Sequence, residues 1–86
     1  MKKIVAVLRP FDLQQNVYVY ENGNKIDAQS IEMTKLNECI VELANKYNIK
    51  DISLLGPKAY SKGIKKQIEK EQLTKYNNKE LNIEFI

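Results

Sequence analysis

The residues best equipped for chemistry lie in one stretch, Asp51 to Leu73, and they are cations. Lys58, Lys62, Lys65 and Lys66 follow a Gly56-Pro57 break with no acid among them, and Ser61 and Gly63 are interleaved. Clustered lysines attract phosphate, on a small ligand or along a nucleic-acid backbone. A helix beginning after Pro57 adds free N–H groups and a partial positive charge at the same place. The spacing is not that of a Walker loop, GxxxxGK[ST]. Catalysis has less to work with. There is no histidine and one cysteine, Cys39. That excludes a histidine base, a Cys/His zinc site and an intrachain disulfide. Asp12, Glu21, Asp27, Asp51 and Glu84 are scattered over different loops and strand ends. No catalytic residue, metal ligand or cofactor site is assigned, and an enzyme is not expected.

Eighty-six residues make one domain, residues 1–86. With 43% hydrophobic and 29% charged residues the chain reads as globular, neither disordered nor membrane-like. No apolar run approaches the roughly 18 residues of a membrane span. Met1 to Leu8 is too short for a signal-peptide core, so an intracellular, cytoplasmic protein is expected. The net charge is +3 and uneven. Residues 1–43 carry five basic against six acidic groups; residues 44–86 carry nine against five.

Several elements must position these cations. Ile4 to Leu8 is continuously apolar, which suits a central strand covered on both faces and ended by Arg9-Pro10. Phe11 to Asn16 reads as a connection. Val17–Tyr20 and Lys25–Ala28 flank Asn22-Gly23, a type I′ hairpin signal. Val17 and Val19 share one face of that hairpin, Tyr18 and Tyr20 the other. From Glu32 to Tyr47, Met33, Leu36, Ile40, Leu43, Ala44 and Tyr47 fall on one helical face, with Ser30 or Thr34 as the expected cap. Cys39, at the edge of that stripe, reads as a small core residue. Asp51–Leu55 is a second core strand. The following helix sets Tyr60, Ile64 and Ile68 against Lys62, Lys65, Lys66 and Lys70, and is expected to end near Gln72. Residues 77–79 read as a turn, and Leu81–Ile86 as a last strand with Leu81, Ile83 and Phe85 on one face.

The order βββαβαβ predicts an α/β fold: one five-stranded mixed sheet and two helices. The first strand lies in the middle, with strands two and three antiparallel on one side and strands four and five parallel on the other. This order resembles the ribonuclease H-like fold. The segment Leu43-Ala-Asn-Lys-Tyr-Asn-Ile-Lys-Asp-Ile-Ser-Leu-Leu-Gly-Pro-Lys58 is similar to the matching stretch of its Holliday-junction-resolvase branch. The resemblance implies metal-binding carboxylates in the first strand and at the end of the fourth. This chain has Ile4-Val-Ala-Val-Leu8 and Leu54-Leu55-Gly56 there, so two-metal nuclease chemistry is not expected. Met1-Lys-Lys-Ile-Val-Ala-Val-Leu-Arg-Pro-Phe11 is similar to the opening of nitrogen-regulatory P-II proteins. Those continue into a helix where this chain has a hairpin.

In that sheet the two parallel strands end at Leu8-Arg9 and Leu55-Gly56, where open α/β sheets bind ligands. Arg9, Gly56, Lys58, Ser61, Lys62, Lys65 and Lys66 are therefore the candidate residues for an anion: nucleic acid or a phosphorylated ligand. The bland alternative is a Gly-Pro turn followed by a solvated lysine face. Tyr18 and Tyr20 are candidates for contact with a protein partner, or they simply cover the sheet. The hairpin's outer strand is an open edge, which makes a homodimer an expectation. A protein–protein adaptor or inhibitor, such as a phage or mobile-element accessory protein, acting through that sheet edge, is the alternative to anion binding.

Overall fold

Strand β1 (Lys2–Val7) is followed by β2 (Gln14–Glu21) and β3 (Asn24–Glu32), helix α1 (Leu36–Lys46), β4 (Asp51–Leu55), helix α2 (Lys58–Tyr76) and β5 (Asn82–Phe85) in the computed structural model, which describes residues 1–77 and 80–86. The sheet order is β3-β2-β1-β4-β5. Strand β1 pairs antiparallel with β2 and parallel with β4, and β4 pairs parallel with β5. That is the predicted single α/β domain, with its five-stranded mixed sheet and two helices.

The turn between β2 and β3 forms because Asn22 and Gly23 accept positive φ, 52° and 84°. Further along, Val19 faces Asp27 but Tyr20 faces Lys25, so Ile26 is an extra residue bulged out of the ladder. Helix α1 ends in a Schellman motif. Asn48 is left-handed at φ 56°, and the Ile49 N–H returns 2.7 Å to the Ala44 carbonyl. Ile49 is thereby delivered into the core.

One sheet face carries the core. Ile4, Ala6, Val17, Val19, Ile52 and Leu54 are buried there against Leu36, Ile40, Val41 and Leu43 of α1 and Ile64 and Ile68 of α2. Burial of each large aliphatic side chain contributes about 1.5–3 kcal/mol. The helices lie side by side in one layer, joined by Asn37–Gln67 and by Asn45 Nδ2 donating to Gln72 Oε1 at 3.0 Å.

Several expectations are corrected. Strand β1 is central but covered on one face only: Val5 and Val7, which point away from the helices, are half-buried. Strand β2 starts at Gln14, inside the expected connection. Strand β3 runs on to Glu32, so Ser30 lies in a strand, and one 3-10 turn over Met33–Lys35 precedes α1. Thr34 falls within that turn; Lys35 occupies the N-cap and no side chain caps the helix. Ladder pairing with β2 outweighed the helical spacing of Met33. Helix α2 continues one turn past Gln72 to Tyr76 and stops at Asn77, φ 49°. Leu73 and Tyr76 do leave the apolar face, but intrahelical hydrogen bonding carries the backbone beyond the last packed residue. The expected turn at 77–79 lies partly outside the described residues. No helix among the described residues is long and apolar enough to cross a membrane.

Candidate functional site

The ends of β1 and β4 meet at the expected place. The Leu8 N–H donates to the Leu55 carbonyl at 2.8 Å, and Gly56 then passes directly over Leu8. A Cβ at Gly56 would lie 2.8 Å from the Leu8 carbonyl oxygen and 2.9 Å from its Cβ. Only glycine permits this approach, which sets the Arg9 loop beside the start of α2. The Arg9 loop is itself braced. The Asp12 N–H closes a turn on the Arg9 carbonyl at 3.0 Å. The fully buried Gln15 amide accepts from the Arg9 N–H and donates to the Arg9 and Asp12 carbonyls at 2.7 and 2.9 Å. Gln15 was missed at the level of sequence. Its signal was there: it shares strand parity with Val17 and Val19 and so belongs to the core face.

Helix α2 opens at Pro57 with no side-chain cap and no acid in its first turn. Its first intrahelical bond runs from the Ser61 N–H to the Pro57 carbonyl. Lys58, Lys62, Lys66 and Lys70 are exposed at four-residue intervals. They form a stripe whose members are about 6 Å apart along the axis and about 40° around it. None of the four is in an ion pair among the described residues, whereas Lys75 pairs with Glu71 and Lys3 with Glu84.

Two candidates are placed differently from expectation. Ser61 is fully buried, and its Oγ has no hydrogen-bond partner among the described residues. The inward face of α2 is Ser61, Ile64, Ile68 and Gln72, so the hydroxyl belongs to the interior rather than to an anion pocket spanning Gly56–Gly63. Lys65 is not opposite the apolar face. It is half-buried, with Nζ 5.7 Å from the Phe85 ring centroid. The structure therefore sets Gly56 against Leu8, with Arg9 and Lys58 following on the two chain segments that meet there, exposes Lys62, Lys66 and Lys70 along α2, and separates Ser61 and Lys65 from them.

A cleft of about 520 Å³ lies elsewhere, beside β5, where Lys3 and Lys65 are outnumbered by Asp51, Glu69 and Glu84, leaving no net attraction for an anion. Within it, hydrogen bonds from Ser53 and then Lys3 hold the Glu84 carboxyl below its usual range. Cys39 sits under the groove between β3 and α1. Burial, reinforced by Glu42 and Asp27, pushes its thiol up to about 11. Tyr18 and Tyr20 are half-buried on the sheet face away from the helices, with Val5, Val7 and Leu55, and Lys25 Nζ stands 4.6 Å from the Tyr18 ring centroid.

No protein-family model matches the sequence, and no curated protein matches it. A crystal structure from Bacteroides thetaiotaomicron does resemble it, that of a protein with actin-like ATPase fold and unknown function. The TM-score is 0.66 at 15% identity, over 99% of this chain. The chain spans 32% of that protein's length. At that identity the likeness shows the fold alone. This domain has the sheet and helices shared by actin-like and ribonuclease H-like folds. The strand ends do not fit a divalent-metal pair. They carry Leu8, Arg9, Leu55 and Gly56, and no group of three potential metal ligands converges among the described residues.

Proposed function

We propose that this chain is a non-catalytic binding module for an anionic partner, nucleic acid in the first instance, engaged by the Lys58–Lys62–Lys66–Lys70 stripe with Arg9 at its head. The stripe carries the reading: four exposed lysines without acidic partners among the described residues. A solvated structural helix gains from interleaved opposite charges at i,i+4. Here the like charges stand at that spacing, which opposes helix stability and favours a polyanion. The similarity of residues 43–58 to the Holliday-junction-resolvase branch supports nucleic acid over a small phosphorylated ligand.

The test is binding of labelled single- and double-stranded oligonucleotides across a salt series. Four phosphate contacts give a slope of log K against log salt of about −3.6 on duplex and about −2.8 on single strands. Lys62→Glu/Lys66→Glu should at least halve that slope. Binding that is absent, or whose slope is unchanged in the double variant, refutes the proposal. A second reading, a protein–protein adaptor, rests on the uncovered sheet face where Tyr18 and Tyr20 lie beside Val5, Val7 and Leu55. Its test is loss of a captured partner on Tyr18→Ser/Tyr20→Ser with oligonucleotide binding intact.

A further inference from the structure

Strand β3 is an edge, and its outer side pairs with nothing among the described residues. Glu32 and Gln29 line an open groove between β3 and α1, so that edge is not sealed. It also lacks proline, and its charged residues are Lys25 and Glu32 near the two ends and Asp27 between them, whose carboxylate is turned to the helix side and accepts from the Tyr47 hydroxyl. Unpaired edges of this length recruit another strand unless something blocks them.

We infer that the occupant is a second copy of this chain, paired β3 to β3 antiparallel about a two-fold axis through Gln29. The faces decide the registers allowed. Asp27, Gln29 and Ile31 lie on the helix side, shown by the Tyr47 hydroxyl donating to Asp27 Oδ2 at 3.0 Å and by Cys39 Sγ meeting Gln29 at 3.6 Å. Lys25, Ala28, Ser30 and Glu32 lie on the other side, opposite Tyr20, Tyr18, Asn16 and Gln14. Residues facing each other across an antiparallel ladder must share a side. Centring on Gln29 satisfies this, with Ala28 opposite the partner's Ser30 and Asp27 opposite the partner's Ile31. The bulge at Ile26 then advances the strand by one residue and sets Lys25 opposite the partner's Glu32. The symmetry makes that pair twice. Centring on Ala28 would instead set Lys25 opposite the partner's Ser30 and form no charge pair. Neither Lys25 nor Glu32 has an ion-pair partner among the described residues; Lys25 Nζ lies over the Tyr18 ring of its own chain, 4.6 Å from the centroid, on the same sheet face as Glu32. The two sheets become continuous, with the α2 stripes at the outer ends and clear of the interface. Two-fold closure consumes the β3 edge of both copies, so this pairing adds no third copy.

Sedimentation velocity of the whole chain, from low-micromolar to near-millimolar concentration, tests this. The wild type should form a dimer and nothing larger. Lys25→Glu and Glu32→Lys each convert two attractive pairs into two repulsive ones, and each should weaken dimerisation about tenfold or more. Their equimolar mixture should restore a heterodimer, because one copy then carries acids at both positions and the other lysines. A wild type that stays monomeric overturns the inference. So does a dimer whose affinity is unchanged in both variants, or a mixture that fails to recover.

Discussion

Gly56 and Gly63 are seven positions apart, and exchanging each for alanine should move stability in opposite directions. At Gly56 the new Cβ would meet the Leu8 carbonyl oxygen at 2.8 Å and the Leu8 Cβ at 2.9 Å. Neither atom can swing aside. Leu8 is buried, and its backbone is held by the 2.8 Å bond to the Leu55 carbonyl. The ends of β1 and β4 must separate instead. Overpacking of this kind costs about 1–3 kcal/mol. Lost freedom in the unfolded chain offsets about 0.4–1 kcal/mol of it. For a domain of this size 1 kcal/mol is about 4–8 °C in Tm. With a mid-range net cost of about 1–2 kcal/mol, Gly56→Ala should therefore melt roughly 4–16 °C lower. At Gly63, in the interior of α2, a Cβ meets nothing within 4 Å. Gly63→Ala should gain about 0.8–1 kcal/mol of helix propensity and melt several degrees higher. Thermal unfolding followed by far-UV circular dichroism in one buffer compares all three proteins. A neutral or stabilising Gly56→Ala, or a clearly destabilising Gly63→Ala, would refute the account of how the β1 and β4 ends are held. The same separation should weaken anion binding at Arg9 and Lys58 in Gly56→Ala more than in Gly63→Ala.

Gln15→Leu leaves the Arg9 N–H and the Asp12 carbonyl without their side-chain partner, and should lower stability by about 1–3 kcal/mol in urea titrations. Cys39 should react with iodoacetamide far more slowly at pH 8 in the native protein than in urea, because its thiol stays protonated until about pH 11. Its linkage has a definite sign. The folded value exceeds the ordinary thiol value of 9.0, so between pH 9 and about 11 the native state holds the proton that the unfolded chain releases. Stability should fall with rising pH across that window, and less so in Cys39→Ala. Glu84 has the opposite sign. Its lowered value means stability that is present at neutral pH and lost as pH drops below the ordinary carboxylate range, and Glu84→Gln should flatten that acid limb. Its Ser53 and Lys3 partners predict that Ser53→Ala flattens it too.

Much of the candidate site was legible because its signals are local. Pro10 and Pro57 each end what precedes them, and Asn22-Gly23 can make one kind of turn. The valine/tyrosine alternation of β2 splits its two faces without reference to the rest of the chain. The central place of β1 followed from connection rules acting on the element order. The carboxylates missing from the β1 and β4 ends could also be read directly, since apolar residues occupy those positions. Ser61 and Lys65 were misplaced for a different reason. A helical period says which residues share a face. It does not say how far the helix is rotated toward its neighbours. Contact with α1 through Gln67 and Gln72, and with Phe85 beside Lys65, sets that rotation in α2.

The sequence by itself determined the elements, their order and the cluster of lysines after Gly56-Pro57. Those depend on backbone preferences and on spacing along one segment. Only the tertiary structure decided that Ser61 faces inward while Lys58, Lys62, Lys66 and Lys70 stay in solvent. It likewise decided that Val5, Val7, Tyr18 and Tyr20 lie on a sheet face that neither α1 nor α2 covers, and that the bulge at Ile26 puts Lys25 on the same sheet face as Glu32. Each of those outcomes depends on which surfaces distant segments bury against one another, and pairings across the chain leave no mark in any single stretch of it.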